Sequence, residues 1–228
     1  MAASTRGDTT PTTEEYLEII YMMAAEGKVV KGARLAETIG VSRPTVTATL
    51  RRMARDGLIK QDAKKQIHLT PKGYTIADTL QRRHRIIERW LTDTLGFDWA
   101  KSDAESHRLE HVFSDEVVDR LNELLGFPET CPHGNPIPGN QRASKLPAAF
   151  PLSRAQQGDM LQLTRISEYA ENTNDVLEYL GERGLIPGAE LRVVDISPAN
   201  KALTLRVNTK HFSLPSEIAD AVWVTKIQ

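Results

Sequence analysis

The chain has 228 residues, a length for one to two domains with a sizeable core, and at 40% hydrophobic and 26% charged it resembles an average soluble globular protein. No apolar run approaches the roughly 18 residues of a membrane span and no basic-then-apolar leader opens the chain, so a cytoplasmic protein without membrane contact is expected. Its one cysteine, Cys131, excludes an internal disulfide framework and a CxxC metal site. The net charge of −1 hides a division along the chain: residues 28–89 carry 15 basic and five acidic side chains, whereas residues 102–140 carry two basic and eight acidic. A block this basic inside a near-neutral chain points to a local nucleic-acid surface.

In chain order, a disordered lead-in ends at Pro11, and Thr13 is the expected N-cap of a helix with Tyr16, Ile19, Ile20 and Met23 on its apolar face. A short helix over 33–39 follows, then a turn at Gly40, then a helix from Ser42 to Asp56 stopped by Gly57. Residues 58–61 and 66–69 alternate around a polar turn and predict a small hairpin. Long helices are expected over 71–95 and 102–125, then a proline-rich loop over 128–151. Strands are expected over 160–166, 190–195, 202–207 and 221–227, with one short helix over 174–182, a pattern that predicts a small β-barrel.

Helix, tight turn, helix and basic hairpin is the layout of a winged helix-turn-helix. The start of its second helix offers Ser42, Arg43, Pro44, Thr45 and Thr47, with donors short enough for base edges and phosphates. Arg51 and Arg52 continue along that helix beside Arg55, Arg34 lies on the preceding one, and Lys64 and Lys65 mark the wing tip. A solvated basic face is the plain alternative, but turn spacing, charge and wing coincide.

A second constellation carries metal chemistry. His84 falls on the apolar stripe of the long helix, with Glu88 four residues on. His107, Glu110 and His111 stand at i, i+3 and i+4, a spacing that lets all three converge on one ion, and Glu15 and Glu18 decorate one side of the first helix. The string from His107 to His111 also reads H-x-x-E-H, the pattern of inverted zinc peptidases, where Glu110 would be the general base. That reading leaves the basic winged unit idle. A winged-helix regulator of an organic ligand is the other alternative.

Together these residues resemble the diphtheria-toxin-repressor family of metal-dependent repressors, including its manganese branch. The landmarks are Thr13-Glu14-Glu15-Tyr16-Leu17, Arg52-Met53-Ala54-Arg55-Asp56-Gly57-Leu58, Arg83-His84-Arg85, Glu110-His111-Val112-Phe113-Ser114 and Gly134-Asn135-Pro136-Ile137-Pro138-Gly139. The resemblance implies a mainly α fold: a winged helix-turn-helix over 1–73, a helical metal-binding and dimerisation domain over 74–140, a linker over 141–157, and an SH3-like (FeoA-like) barrel over 158–228. It implies a primary site at Glu15, His107, Glu110 and His111 and a second at His84, Glu88 and Asp103, with Glu18 matching a ligand of the manganese branch. Two ions per subunit, Mn(II) or Fe(II), a homodimer and double-stranded operator DNA follow from the same resemblance. Iron-type members have methionine and cysteine where this chain has Glu15 and His107, so the site reads as oxygen and imidazole only, leaning toward manganese. The resemblance gives Cys131 and His133 a structural role in the proline-rich loop, and counting from Ile166 places Thr173 and Val176, with Glu171 and Asp175 as substitutes, where some members lend further ligands. His68 and His211 are expected to have no ligand role.

Overall fold

The computed structural model describes residues 9–140, 148–168 and 174–227. Helix α1 (Pro11–Ala25) starts one turn earlier than expected. Thr10, not Thr13, is its N-cap, because Thr10 Oγ1 accepts from the Thr13 amide and Pro11 supplies the preset φ of a first helical position. Helices α2 (Gly32–Ile39) and α3 (Arg43–Arg55) are joined through Gly40, at φ 74°, and Ser42, whose hydroxyl accepts from the Thr45 amide. Strands β1 (Ile59–Gln61) and β2 (Ile67–Leu69) form the wing. Its tip is held by Asp62, whose carboxylate accepts from the backbone amides of Lys64 and Gln66.

Helix α4 (Pro71–Asp93) is the spine of the molecule. Its first half contributes Ile76, Ala77 and Leu80 to the winged-helix core with Tyr16, Leu17, Leu35, Val46 and Met53. Its second half contributes Ile86, Ile87 and Leu91 to a separate core with Val118 and Ile137. One continuous helix therefore links the two cores, and a shift at one end moves the other as a rigid rod.

The helix expected over 102–125 is two helices, α5 (Trp99–Leu109) and α6 (Asp115–Leu124). Ser114 competes with continuation: its side chain accepts from the Val117 amide, and Asp115 and Glu116 then sit favourably at a new helix N-terminus. Glu110 is thereby the C-cap of α5 rather than a mid-helix residue.

The C-terminal unit corrects two further expectations. Its strands β3 (Phe150–Pro151), β4 (Met160–Ile166), β5 (Glu190–Ser197), β6 (Ala202–Val207), β7 (Lys210–Pro215) and β8 (Val222–Lys226) form an antiparallel sheet in the order β3-β8-β4-β5-β6-β7. The outer strands β3 and β7 do not pair, so this is an open curled sheet and not a closed barrel. The linker expected over 141–157 ends early: Phe150 pairs with Val224, and Leu152 is fully buried among the sheet residues. Strand β7 escaped the sequence reading because its buried positions are thinned by Lys210, His211 and Ser213. Helix α7 (Asn174–Glu182) closes the core and packs on α5, where Gly181 lies under the Trp99 ring; a Cβ there would come within 2.4 Å of Trp99 Nε1.

Candidate metal centre and nucleic-acid interface

Three helices aim polar stripes into one cavity of about 320 Å³. Helix α1 provides Glu15, Glu18 and Met22, α4 provides Gln81 and His84, and α5 provides Asp103 and His107. Glu168, just past β4, closes the cavity from the C-terminal unit and is anchored by Arg85, whose Nε and Nη2 lie 2.6 and 2.7 Å from its two carboxylate oxygens. The cavity thus touches the winged unit, the helical unit and the C-terminal sheet.

Glu110 is the hub beneath it. Fully buried, it lies 2.7 Å from His84 Nδ1, 3.0 Å from His107 Nδ1 and 3.3 Å from His111 Nε2. Asp103 lies 3.2 Å from His84 Nε2, and Glu14 is 3.1 Å from His111 Nδ1. Burial works against the Glu110 charge, yet the imidazoles of His107 and His84 outweigh it and hold its carboxyl down to about 2. Burial likewise opposes charge on His84, but Asp103 and Glu110 push its pKa well above the ordinary value. Glu18 goes the other way: burial, reinforced by the nearby Glu110 charge, raises its carboxyl well above the usual range. Carboxylates packed this densely are costly without a compensating cation. Oxygen and imidazole donors converging on one space fit a divalent metal ion.

Donor atoms within 4.8 Å of one another define three groups among the described residues: His84, His107 and Glu110; His84, Glu88 and Asp103; and Glu88, Cys131 and His133. The second is the combination expected for the second site. The first joins His84 to part of the expected primary set, because α4 and α5 pack face to face. Glu15 lies on the cavity wall, whereas the α1 carboxylate touching His111 is that of Glu14. The third group adds the Cys131 thiol to the candidate donors, away from the positions of Glu15 and His107. Cys131 and His133 are both buried, with His133 Nδ1 2.5 Å from Glu88 Oε1, because the proline-rich loop folds back over α4. The sequence signal was the Cys131-Pro132-His133 string itself. Of the positions reached by counting from Ile166, Thr173 lies outside the described residues, as do the substitutes Glu171 and the Asp175 side chain, and Val176 packs on the C-terminal core. Glu168, missed by that count, is the residue of this unit on the cavity wall.

Among the expected DNA-contacting residues, Arg34, Ser42, Arg43, Pro44, Thr45, Thr47, Arg51, Arg52, Lys64 and Lys65 are all exposed. Arg43, Arg51, Arg52, Lys64 and Lys65 pair with no carboxylate among the described residues, leaving their charge available to phosphates. The Thr47 hydroxyl donates to the Arg43 carbonyl at 2.9 Å, so towards a ligand it offers its methyl and an acceptor lone pair.

A winged helix whose rigid spine carries a buried carboxylate–imidazole cavity defines a DNA-binding protein with a built-in cation sensor. Three family profiles match in succession: "Iron dependent repressor, N-terminal DNA binding domain" over 8–67, "Iron dependent repressor, metal binding and dimerisation domain" over 70–139, and "FeoA domain" over 150–226. The chain belongs to the iron-dependent repressor family; it is a metal-sensing, DNA-binding transcriptional repressor and not an enzyme, which sets the peptidase alternative aside. It is 34% identical to the iron-dependent repressor IdeR of Mycobacterium leprae, over 96% of this chain and 99% of that one. It is also 34% identical to the diphtheria toxin repressor of Corynebacterium diphtheriae, over 96% and 99%. Among solved structures, a manganese-dependent transcriptional repressor in complex with manganese superposes with a TM-score of 0.83 at 31% identity, covering 94% of this chain and all of that one.

Proposed function

We propose that the protein is a cytoplasmic homodimer that binds double-stranded operator DNA when it holds Mn(II), with Fe(II) as the competing ion, and so represses genes of metal homeostasis. The observation that carries this reading is the cavity itself: donors from α1, α4 and α5 and the Glu168 carboxylate face one space. An ion there ties the winged unit to the helical unit and fixes the angle at which the recognition helix α3 is presented. Two such units in a dimer must match the half-site spacing, and metal narrows the spread of angles. A switch from about 1:99 to 99:1 requires roughly 5.5 kcal/mol of differential binding, within reach of several ions per dimer.

Two ions per subunit is the count we favour. Of the three donor groups, His84–His107–Glu110 and Glu88–Cys131–His133 share no residue, whereas His84–Glu88–Asp103 competes with both. The hard, carboxylate-rich cavity suits Mn(II), and the thiol of Cys131 gives the inner group a softer character better matched to Fe(II). Glu15, Glu18, Asp103 and His111 complete the ligand assignment around the first ion, while Arg34, Ser42, Arg43, Pro44, Thr45, Thr47, Arg51, Arg52, Lys64 and Lys65 form the DNA face.

The deciding experiment titrates Mn(II), and anaerobic Fe(II), into chelated protein at fixed salt while following binding to genomic DNA fragments. A sharp gain in sequence-selective binding is the expected result; full selective binding in chelator would overturn the metal switch and favour an organic effector. In the same assay, Lys64→Ala with Lys65→Ala should weaken binding to all sequences alike and flatten the salt dependence of log K by about two per subunit. A change in sequence preference instead would remove the wing from the phosphate-contacting set.

The homodimer rests on apolar residues left exposed around α6: Val112 and Leu124, each 68% exposed, with Val117 and Phe127 beside them. Leu109, Phe113 and Leu121 from the same stretch pack partly against the chain's own core. Val117→Glu with Leu124→Glu should yield monomers by sedimentation and lose selective DNA binding even with saturating metal. A dimer that survives both changes would place the interface elsewhere.

A further inference from the structure

The donors considered so far are carboxylates, imidazoles and one thiol; Gln81 is none of these. It lies on α4 one turn before His84 and two before Glu88, so that residues 81, 84 and 88 follow i, i+3, i+7 along one face. It lines the cavity together with Glu15, Glu18, His84, Asp103 and His107. At 3% exposure it is shut off from solvent, and its Oε1 accepts a hydrogen bond from no described residue. A buried amide oxygen without a donor is costly and calls for a partner. Four of the lining residues, Glu15, Glu18, Asp103 and Glu168, are carboxylates, which when ionised are acceptors only, and the donors on the wall are engaged elsewhere: His84 and His107 with Asp103 and Glu110, Arg108 with Glu105. A cation satisfies both the amide dipole and the carboxylates at once.

We propose that Gln81 Oε1 is a ligand of the cavity ion, a neutral oxygen donor alongside His84, which tunes the site toward hard, high-coordination divalent ions such as Mn(II). The proposal rests on the metal-sensing reading above. Its chemistry is that of an amide carbonyl, a common donor to oxygen-preferring cations, in a set otherwise made of anions and imidazoles. Met22 lines the same cavity one turn beyond Glu18, so the balance of oxygen to sulfur donors depends on this amide.

The test uses the full chain without DNA. Mn(II) binding is measured by the electron paramagnetic resonance of the remaining free ion and by calorimetry, with Zn(II) as a comparison. Gln81→Met keeps the volume and removes the oxygen; it should weaken Mn(II) binding about tenfold or more, with a smaller loss for Zn(II). In the Co(II)-loaded protein its visible d–d bands should intensify as the coordination number falls. Gln81→Glu, which keeps an oxygen at the same reach, should bind Mn(II) as tightly as wild type or tighter. Unchanged Mn(II) affinity and an unchanged Co(II) spectrum in Gln81→Met would overturn the proposal. A lowered Tm in chelator with unaltered affinity would assign Gln81 a packing role only and overturn it equally. If Gln81→Met fails to fold, Gln81→Glu decides: affinity at or above wild type supports the ligand, and a loss overturns it. Wild-type protein that takes up no divalent ion would sink the metal-sensing reading and this inference together.

Discussion

Glu110→Gln should abolish the metal response while leaving a folded, dimeric protein that still binds DNA non-specifically. The substitution keeps the shape of the side chain and removes the charge that His84, His107 and His111 all face. Loss of one anionic ligand, together with disorder in the imidazoles it orients, should lower Mn(II) affinity by more than the 10- to 100-fold typical of an outer-shell change. The basic residues of α3 and the wing lie on the winged unit, outside the set of His84, His107 and His111 that Glu110 faces, and keep their phosphate-driven affinity. The measurement is DNA-binding anisotropy against Mn(II) concentration at fixed salt, with sedimentation to confirm the dimer. A wild-type titration curve would show that the hub is structural and that the ion sits elsewhere.

The same groups give a pH dependence with two opposite signs. The pKa values of His84, His107 and His133 are raised: against opposing burial at His84 and His133, and principally by the Glu110 hydrogen bond at His107. Charged imidazoles with raised folded-state values stabilise the metal-free fold fully below their unfolded pKa of about 6.5, and that contribution is lost as pH climbs through the folded values. Metal needs the neutral imidazole, so affinity for the ion grows over the same interval above about pH 6.5. Thermal melts from pH 6 to 8.5 should therefore show a falling Tm in chelator and a widening upward shift on adding Mn(II). The window lies higher than the unperturbed histidine value alone predicts, because the carboxylates compete with metal on the proton's side. A shift that stays constant across the range would remove the histidines from the ligand set.

How far the sequence reaches is clearest at the helix ends and in the loops. The winged unit was legible nearly residue by residue, because Ser42, Gly40 and Gly57 act locally and the basic positions of α3 need only helical periodicity to be placed. The ligands on single helices were legible for the same reason: His107, Glu110 and His111 share one face of α5 and its C-cap whatever surrounds them. What sequence could not supply is which helix packs on which. His84 joins Glu110 through the α4–α5 contact, and His111 meets Glu14 rather than Glu15 through the packing of α1 against the end of α5. The break at Glu110–Ser114 depended on a cap outcompeting an apolar periodicity that continues across it. The resemblance gives Cys131 and His133 a structural role, and a proline-rich loop has no period that would place them; its return across α4 brings them to Glu88.

That return gives the second large expected effect. Gly134 follows His133 with φ at +85°, and a Cβ there would lie 2.1 Å from the Thr164 carbonyl oxygen and 2.9 Å from Arg165 Cα, both backbone atoms of β4. Neither strand nor loop can yield locally: the Ile166 amide donates to the His133 carbonyl, and Asn135 donates to the Ile166 carbonyl. Arg165 is itself fixed, 2.7 Å from Glu26 at the end of α1 and stacked over Trp223, whose indole N–H also donates to Glu26. Gly134→Ala therefore combines left-handed strain with a backbone clash, and a loss of about 3 kcal/mol or more is expected. The sheet keeps its own core around Leu161, Leu191 and Leu205, so the loss should appear as undocking of the C-terminal unit and not as global unfolding. Undocking takes Glu168 from the cavity and loosens His133 against Glu88. Limited proteolysis should then cut between the units, and calorimetry should show weaker Mn(II) binding with one ion fewer per subunit. If Gly134→Ala loses docking but keeps both the affinity and the number of ions, the C-terminal unit is a passenger to metal sensing, and the cavity is completed by α1, α4 and α5 alone.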